Sequence, residues 1–515
     1  MASLVAASSL RARLARRLAD EAFVCRRCVH QRAAQSTPST SRVSSLRDTP
    51  FLRAFRKPGH YQMRTQSSTA SITPASPLGA LGANIAARAP PRAPSKTSSW
   101  PETSSKGVAY WLLGSAASVF GIVIFGGLTR LTESGLSITE WRPVTGSFPP
   151  RNEQIWEEEF ARYKLSPEFI MLNSRMNLEE FKQIYWMEWG HRLWGRVVGM
   201  TFLLPTVYFI ARRRVSPAMA RRLVGICALI GFQGFIGWWM VKSGLKDDLL
   251  ETGQQPRVSQ YRLTAHLGTA FVAYLCMLYN GLQILRQHRL LANPAEGAKL
   301  IQTLQSSPLR QFRILVTALT ALVFVTAMSG ALVAGLDAGL IYNDFPWMGQ
   351  GLLPPKSEML DPFYSHTSDQ GDLIWRNMLE NPVLVQLDHR ILATTTFSAI
   401  IALWAYTRFR PSLKSALPRQ ARVGMMGVVH LVSLQVVLGI STLWYLVPTP
   451  LAAAHQAGAL ALLSGMFVLR SRISTPKRTV QLVQRAVAAQ SSGSMAGKRG
   501  PDAMLKARLQ STLPQ

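Results

Sequence analysis

Long apolar stretches alternate with polar, charged segments along this chain of 515 residues. Because an α-helix rises about 1.5 Å per residue, about 20 mostly apolar residues are needed to cross the hydrocarbon core of a bilayer. Stretches of about this length lie at residues 108–128, 189–211, 223–241, 264–284, 314–335, 387–407, 423–447 and 452–469. The pattern predicts a polytopic membrane protein with eight spans.

The spans are predicted to be helices, since backbone groups in hydrocarbon must be paired within the protein and no segment alternates as barrel strands do. They also repeat: Glu188–Arg192 (EWGHR) resembles Gln386–Arg390 (QLDHR), and Gly127–Leu136 resembles Gly330–Leu340. A unit of four spans crosses the membrane an even number of times, so its duplicate enters from the same side. The predicted fold is an all-α polytopic membrane protein. Its eight transmembrane helices form two tandem four-helix bundles, related by a pseudo-twofold axis along the membrane normal.

The charge distribution orients these bundles. The net charge is +30, although 48% of the residues are hydrophobic. Basic residues concentrate in every second loop and in the first hundred residues, which are rich in Arg, Ser and Ala, as a mitochondrial transit peptide is. By the positive-inside rule, the basic loops and both termini face the matrix and the acidic loops face the intermembrane space. This distribution favours a multi-pass protein of the mitochondrial inner membrane over a nucleic-acid binder.

The same features divide the chain into segments. They are a transit peptide and disordered linker (1–100), an N-terminal bundle (105–285), a matrix linker (286–312), a C-terminal bundle (313–470) and a disordered matrix tail (475–515). In the loop before span two, short amphipathic helices broken near Ser166–Pro167 are predicted, followed by a capping box of Asn177 and Glu180. A similar element is predicted around 372–380, before span six.

Four histidines occupy equivalent places in the repeat. His191 and His389 begin spans two and six, and His266 and His455 begin spans four and eight. A single histidine near a helix end is more often an interfacial hydrogen-bonding residue, and His430, near the matrix end of span seven, is interpreted in that way. Paired imidazoles on facing helices also hold haem iron. Because all four lie at one predicted depth, we expect them to be axial ligands of haem iron, with one haem in each half.

Charged neighbours distinguish the two halves. Arg192 and Arg390 directly follow the first histidine of each pair, and each either extends to the interface or donates to a haem propionate. Glu188 lies one helical turn before His191, whereas its counterpart in the repeat is Gln386. A carboxylate near hydrocarbon is costly and tends to be functional. We therefore expect the first half to hold the chemistry and the second half to hold an electron-carrying haem.

The four cysteines carry no comparable signal. Cys25 and Cys28 form a CxxC in the predicted transit peptide, where His30 stands one place too late for the CxxCH of covalent haem attachment. Cys227 and Cys276 lie inside spans and are interpreted as small core residues. No structural disulfide is predicted.

Six segments together are similar to the mitochondrial haem A synthase family, the Cox15 and CtaA proteins. They are Gly126–Pro150, Glu188–Arg196, Tyr261–Leu267, Gly330–Pro346, Leu387–Ala393 and Ala452–Gln456, and the resemblance extends over residues 105–470. It implies an enzyme that oxidises the C8 methyl group of haem O to a formyl group, through a hydroxymethyl intermediate, to give haem A for cytochrome c oxidase. Some bacterial members carry a cysteine pair in an outer loop that this chain lacks, so no thiol step is carried over.

The resemblance also implies roles for individual residues. Those residues are His389, His455 and Arg390 for a resident haem b, and His191, His266 and Arg192 for the substrate haem. Glu188 is implied to be catalytic. The implied electron donors are a matrix ferredoxin and its reductase. A haem O synthase and a second copy of the chain in a homo-oligomer are further candidate partners, beside the lipid bilayer.

Three questions stay open at this stage. If both His191 and His266 ligate the substrate iron, no axial position is free for dioxygen, so either one ligand leaves or the inserted oxygen comes from water. Glu188 is hypothesised either to accept a proton or to stabilise positive charge at the methyl carbon. Two alternative functions are a bis-histidine membrane cytochrome b that transfers electrons to or from quinone, which does not require Glu188, and a repeat-built transporter, which expects polar groups at the midplane.

Overall fold

The computed structural model describes residues 99–246, 249 and 255–498, and only the backbone of 492–498. Within these ranges the chain is helical, and the only extended pairing is an isolated bridge between Met348 and Gly351. The predicted transit peptide up to residue 98, with Cys25 and Cys28, lies outside the described residues, and so does the end of the chain from residue 499.

The described residues of the first half form four long α-helices and three shorter ones. In chain order they are α1 (Lys106–Leu131), α2 (Glu153–Lys164), α3 (Pro167–Met171), α4 (Leu178–Ala211), α5 (Pro217–Gly244), α6 (Gln260–Ala292) and α7 (Pro294–Leu304). The long helices α1, α4, α5 and α6 correspond to the first four predicted spans. They continue beyond the apolar stretches, so that α4 begins at Leu178 rather than near 189.

The second half repeats this plan. Its helices are α8 (Ser307–Gly335), α9 (Lys356–Met359), α10 (Leu373–Glu380), α11 (Pro382–Phe409), α12 (Pro411–Ala416), α13 (Arg419–Trp444), α14 (Thr449–Arg472) and α15 (Lys477–Lys498). Proline occupies the first turn of α5, α8, α11 and α14. The fixed φ angle and missing N–H of proline suit that position, so the sequence marks where these helices begin.

The long helices pack as two four-helix bundles. In the first bundle α1 contacts α4, α4 contacts α5, α5 contacts α6, and α6 contacts α1; α8, α11, α13 and α14 form the same closed ring. Between the bundles, α6 contacts α8 and α1 contacts α14, while α6 and α14 also touch. The first helix of each half thus meets the fourth helix of the other, as a pseudo-twofold relation requires, and a single hydrophobic core extends through both bundles.

Seven of the long helices are long and apolar enough to cross a membrane by composition alone. The helix outside this group is α11, which contains the predicted span 387–407. Polar residues near its start, Gln386, Asp388, His389 and Arg390, lower its mean hydropathy. It nevertheless packs between α8 and α13 as the other long helices pack in their rings. Composition therefore identifies seven spans, and the packing of α11 between α8 and α13 identifies it as the eighth.

The outer faces of the long helices are apolar. Large side chains such as Leu204, Phe235 and Val437 are exposed on the surface. Soluble monomers rarely expose contiguous apolar patches of this kind, whereas lipid tails accommodate them. Together with the helical content, this confirms the prediction of an all-α polytopic membrane protein.

The predicted elements outside the membrane are also present. α2 and α3 are separated at Ser166, whose side chain caps α3, and Asn177 and Glu180 form a capping box at the start of α4. α10 occupies the segment predicted around 372–380. The first-half elements enclose a small aromatic core that includes Trp156 and Phe181. These helices therefore form a folded layer on the outer side of the first bundle.

A buried carboxyl group lies inside this layer. The hydroxyl of Tyr163 donates to Glu168 at 3.1 Å, and Asn173 donates to the same hydroxyl at 2.8 Å. Burial raises the pKa of Glu168 to about 8, against the opposing effect of the Tyr163 hydrogen bond. The group is therefore mainly neutral at pH 7, which lowers the cost of enclosing it among aromatic rings.

The prediction of a disordered tail from residue 475 is wrong for residues 477–498. α15 packs on α7 and α6, where Val483 is fully buried beside Leu290 and Ile301. The segment is polar overall, and its few apolar residues on one side of the helix were therefore not recognised in the sequence. The predicted linker 286–312 is likewise mostly helical, because α6 runs to Ala292 and α7 and the start of α8 follow.

Candidate functional site

The four predicted histidines lie on four of the long helices. His266 and His455 lie within two turns of the starts of α6 and α14, and His389 lies at a similar depth in α11. His191 lies further inside α4, because that helix begins well before the apolar stretch. All four are on helices that ring the interior of a bundle, two in each half.

The pair in the second bundle has a spacing that suits a metal. The ring centroids of His389 and His455 are 6.5 Å apart and the ring planes are perpendicular, at 89°. An imidazole nitrogen binds zinc at about 2 Å, so two rings on opposite sides of one ion have centroids about 6 Å apart. The donor type and the gap between the rings therefore fit a haem iron. In the first bundle, His191 and His266 occupy the equivalent places on α4 and α6.

Each histidine ring lies against a glycine on the neighbouring helix. A Cβ atom placed on the glycine would lie between 2.7 and 3.1 Å from the Cε1 atom of the ring. The four glycine–histidine contacts are Gly126 with His191, Gly237 with His266, Gly330 with His389, and Gly439 with His455. At Gly126 and Gly439 the distance is shorter than real side chains allow, and at the other two the ring would have to shift by a few tenths of an ångström. The contacts also correct the predicted repeat by one residue, since Gly126, rather than Gly127, corresponds to Gly330.

Two glutamines hold the second histidine of each pair. The side-chain amide nitrogen of Gln233 lies 3.1 Å from Nδ1 of His266 and donates to the carbonyl of the same residue at 2.8 Å. Gln435 makes the same two contacts with His455, at 3.1 Å and 2.7 Å. An amide nitrogen is a donor, so it pairs with Nδ1 only when that nitrogen carries no proton, whereas its bond to the histidine carbonyl holds in either tautomer. The two glutamines therefore make matched links between the helices beside the second histidine of each pair.

The first histidine of each pair is held differently in the two halves. The hydroxyl of Ser329 donates to the carbonyl of Thr326 at 2.8 Å and lies 2.8 Å from Nδ1 of His389, so its lone pairs accept from that nitrogen. This tautomer leaves Nε2 free for a metal. In the first half Phe125 replaces the serine and stacks on His191, with the ring centroids 6.4 Å apart. Nδ1 of His191 is buried and has no hydrogen-bond partner among the described residues.

Each of the two arginines is hydrogen-bonded to the loop that follows the first helix of its bundle. Arg192 donates to the carbonyl of Ile138 at 2.8 Å, and Arg390 donates to the carbonyl of the equivalent residue, Tyr342, also at 2.8 Å. Each guanidinium also donates to a second carbonyl further along the same loop, at 3.2 Å. Both arginines thus tie the loop that follows the first helix of their half, a role that the sequence did not indicate.

Glu188 is buried, with 2% of its surface exposed. One carboxylate oxygen accepts from the Ser137 hydroxyl at 2.6 Å and the Ile138 amide at 2.7 Å, and the other accepts two bonds from Arg192, at 2.6 and 3.0 Å. Gln386 instead donates to the carbonyl of Tyr342. All the bonds to Glu188 stabilise the charged carboxylate. Glu188 therefore joins Arg192 and the outer loop in one network, which the second half does not reproduce.

A direct contact links the two sites. The side chain of Gln456, next to His455 on α14, donates to the carbonyl of Val123 on α1 at 2.9 Å. One turn further along α1 is Gly126, the glycine that contacts His191. The residue of the first half that corresponds to Gln456 is Leu267, whose side chain cannot donate a hydrogen bond. The bond therefore has no counterpart from the first half to the second.

Several of these supporting residues were missed by sequence reasoning. A signal for the glutamines exists, since Gln233 and Gln435 both stand four residues before the glycine that contacts the histidine, in GFQGFIG and SLQVVLG. A comparison of the two halves at that spacing finds them. No comparable signal marks Ser137 or Phe125, because their roles depend on how a loop folds back or which helix faces them.

Comparison with known proteins gives consistent matches. A sequence model of the COX15-CtaA family, described as cytochrome oxidase assembly protein, matches residues 109–467. Heme A synthase COX15 of Saccharomyces cerevisiae is 50% identical over 381 residues, which cover 74% of this chain and 78% of the relative. Heme A synthase COX15 of Homo sapiens is 45% identical over 366 residues, covering 71% and 82%. A heme A synthase-mitochondrial ferredoxin fusion protein of Schizosaccharomyces pombe is 49% identical over 373 residues, covering 72% and 60%.

The glycine contacts yield a test in the second bundle. Gly439→Ala places a methyl group 2.9 Å from the ring of His455. Forcing the ring to move costs about 1–3 kcal/mol, so we expect the variant to lose haem from the second bundle while still folding. Haem bound per purified chain, measured as the pyridine haemochrome, checks this. Gly427→Ala on the same helix is the control, since its Cβ meets nothing within 4 Å; equal haem content in the two variants would contradict the role of the contact.

Proposed function

The chain belongs to the COX15-CtaA family of cytochrome oxidase assembly proteins, and from this premise we propose how its two bundles carry out the reaction of a haem A synthase. The chain is an oxidoreductase of haem A biosynthesis in a mitochondrial membrane, and haem O is its substrate. The reaction converts the C8 methyl group of haem O to a formyl group. The observation that carries the proposal is the facing pair of half-buried histidines in the second bundle, with two histidines at the equivalent positions on α4 and α6 of the first.

The second bundle is proposed to hold a resident haem b between His389 and His455. The 6.5 Å spacing of the rings, the glycine at each ring and the serine that sets the His389 tautomer all fit this group. When bound, a haem of this kind supplies one-electron transfer. Arg390 supports the site indirectly, by holding the loop above it.

The first bundle is proposed to bind haem O between His191 and His266. A cavity of about 220 Å³ lies beside it, on the outer side, lined by the guanidiniums of Arg142, Arg151, Arg192 and Arg196 and by the carboxylates of Glu140 and Glu159. Guanidinium groups bind carboxylates strongly. A haem propionate of the substrate would find donors there, which supports the proposal that Arg192 belongs to the substrate site.

Glu188 is proposed to act by its charge rather than as a base. Proton abstraction requires a free lone pair on the carboxylate, and both oxygens already accept bonds from Arg192 and the outer loop. A fixed carboxylate one helical turn from His191 stabilises positive charge that develops at the reacting methyl carbon. The same bonds keep the outer loop closed over the site.

A Glu188→Gln variant tests this role. The amide removes the negative charge while keeping nearly the same shape, so we expect the variant to bind haem but to stop at haem O or the hydroxymethyl intermediate. The measurement is chromatography of haems extracted from a host that makes haem O. Glu158→Gln on the exposed side of α2 serves as the control and should yield haem A. Normal haem A production by Glu188→Gln would remove this residue from the chemistry.

A ferredoxin is proposed as the electron donor. The Schizosaccharomyces pombe relative is a fusion of a heme A synthase with a mitochondrial ferredoxin, which supports direct contact between two such proteins. The turn between α4 and α5 exposes Arg212, Arg213 and Arg214, on the side proposed to face the matrix together with both termini. A basic surface accelerates the association of an acidic partner by electrostatic steering.

Charge reversal checks the docking surface. Replacing Arg212, Arg213 and Arg214 with Glu should lower the rate of ferredoxin-supported reduction at least tenfold at low salt, because the steering field changes sign. Stopped-flow reduction of the bound haem at several salt concentrations measures this. The matched control is Arg175→Glu in the exposed loop between α3 and α4, outside the proposed substrate cavity, which should reduce at the wild-type rate. An unchanged rate and salt dependence in the triple variant would place docking elsewhere.

A further inference from the structure

Three arginines lie where the two bundles meet, at the helix ends opposite to the outer loops. Arg286 lies in the last two turns of α6, Arg313 in the second turn of α8 and Arg470 in the last turn of α14. These three helices all contact one another. Arg313 and Thr475 line a cavity of about 170 Å³ at this place, and Arg286 donates to the hydroxyl of Thr475.

The charges of these arginines are not balanced by acidic groups. Each guanidinium donates to a neutral oxygen, and the acceptors of Arg286, Arg313 and Arg470 are the Thr475 hydroxyl at 3.3 Å, the carbonyl of Leu304 and the Thr317 hydroxyl at 2.6 Å. None of the three forms an ion pair within the described residues, and the acidic residue of α7, Glu296, is paired with Lys299. Nη1 of Arg286 is buried and has no hydrogen-bond partner in the same part of the chain. A guanidinium carries several N–H donors, so the chain supplies too few acceptors here.

The first half has small residues at the equivalent place. By the alignment of the histidines and their glycines, Arg313 corresponds to Ala109 and Arg470 corresponds to Gly281. A Cβ atom on Gly281 would lie 3.1 Å from the carbonyl oxygen of Ala109, so α1 and α6 touch there. The second half instead has two cations at the matching contact between α8 and α14. Helix packing alone does not require charge at this position, which indicates that the two arginines bind something.

Apolar surface adjoins the cations. Ile314 and Leu315, which follow Arg313 on α8, are 61% and 43% exposed, and Ile301 and Val480 form part of the cavity wall. This combination suits a molecule with an anion at one end and hydrocarbon at the other. Basic pockets between transmembrane helices on the matrix side bind the head groups of anionic lipids. An acidic protein would instead need a wide exposed surface, since a stable protein contact buries about 800 Å² on each partner.

We propose that the three arginines bind the phosphate of an anionic phospholipid, in the leaflet on the side proposed to face the matrix. Arg313 and Arg470 donate to the phosphate oxygens, for which guanidinium groups are well suited, and Arg286 adds positive charge behind them. The acyl chains lie along α8, against Ile314 and Leu315. Because α6 belongs to the first bundle and α8 and α14 to the second, the bound lipid stabilises the junction between the bundles. The proposal does not depend on the assignment of either haem.

Native mass spectrometry of the full chain, purified with its haems and stripped of its own lipids, tests the proposal. The protein is titrated separately with phosphatidylglycerol, cardiolipin and phosphatidylcholine. We expect the two anionic lipids to be retained at concentrations at which phosphatidylcholine is lost. Replacing both Arg313 and Arg470 with Gln should weaken the retention of the anionic lipids about 30-fold, because two charges that attract the phosphate are removed.

A second variant keeps all three arginines. Thr475→Asp places a carboxylate beside Arg286, so this internal anion should compete with the lipid and lower its retention, as the double Gln variant does. The control is Arg221→Gln on α5, an exposed arginine at the same end of the first bundle, which should retain lipid as the wild type does. Haem bound per chain should be equal in all variants, because each should fold normally.

Three outcomes would overturn the proposal. One is equal retention of phosphatidylglycerol by the wild type and both variants. Another is displacement of the lipid by inorganic phosphate at matched concentration, which would identify a free anion as the ligand. The third is slower ferredoxin-supported reduction in the double Gln variant with unchanged lipid retention, which would assign the arginines to protein docking.

Discussion

The contact between a half-buried imidazole and a glycine on the next helix determines how the rest of the molecule is arranged. It sets how closely α1 approaches α4 and α5 approaches α6, and it does the same for the equivalent pairs of the second half. Because the Cε1 atom of the ring lies close against a backbone, the ring has little room to turn. The same contact therefore sets both the spacing of the two helices and the position of the histidine ring, and it occurs four times.

The two halves share this arrangement but differ at a few positions. In the second half Ser329 fixes the tautomer of His389, and Gln386 makes a neutral contact with the outer loop. In the first half Phe125 leaves His191 without support, and Glu188 brings a fixed charge. These differences support the proposal that the second bundle holds a resident haem and that the first binds the substrate.

Much of this architecture could be predicted from the sequence, and the reasons are specific. The spans follow from the apolar stretches, and the four histidines stand out because duplication places them at matching positions. The helix α15 was missed because apolar residues such as Val483 are too sparse to outweigh a polar segment. The role of Arg192 was missed because a carbonyl acceptor in a loop that folds back, here that of Ile138, leaves no mark in the sequence. Functional side chains could thus be predicted where the two halves carry the same residue at matching positions. Hydrogen bonds from side chains to backbone carbonyl groups could not be predicted.

The most direct test of the central claim is a cryo-electron microscopy map of the enzyme purified with its haems. The account predicts two irons in each chain, one between His389 and His455 and one beside His266, with the nearest imidazole nitrogen about 2 Å from each metal. The glycines at 237, 330 and 439 should lie against the rings of the ligands. Iron bound away from these histidines, or a single iron shared between the two bundles, would contradict it.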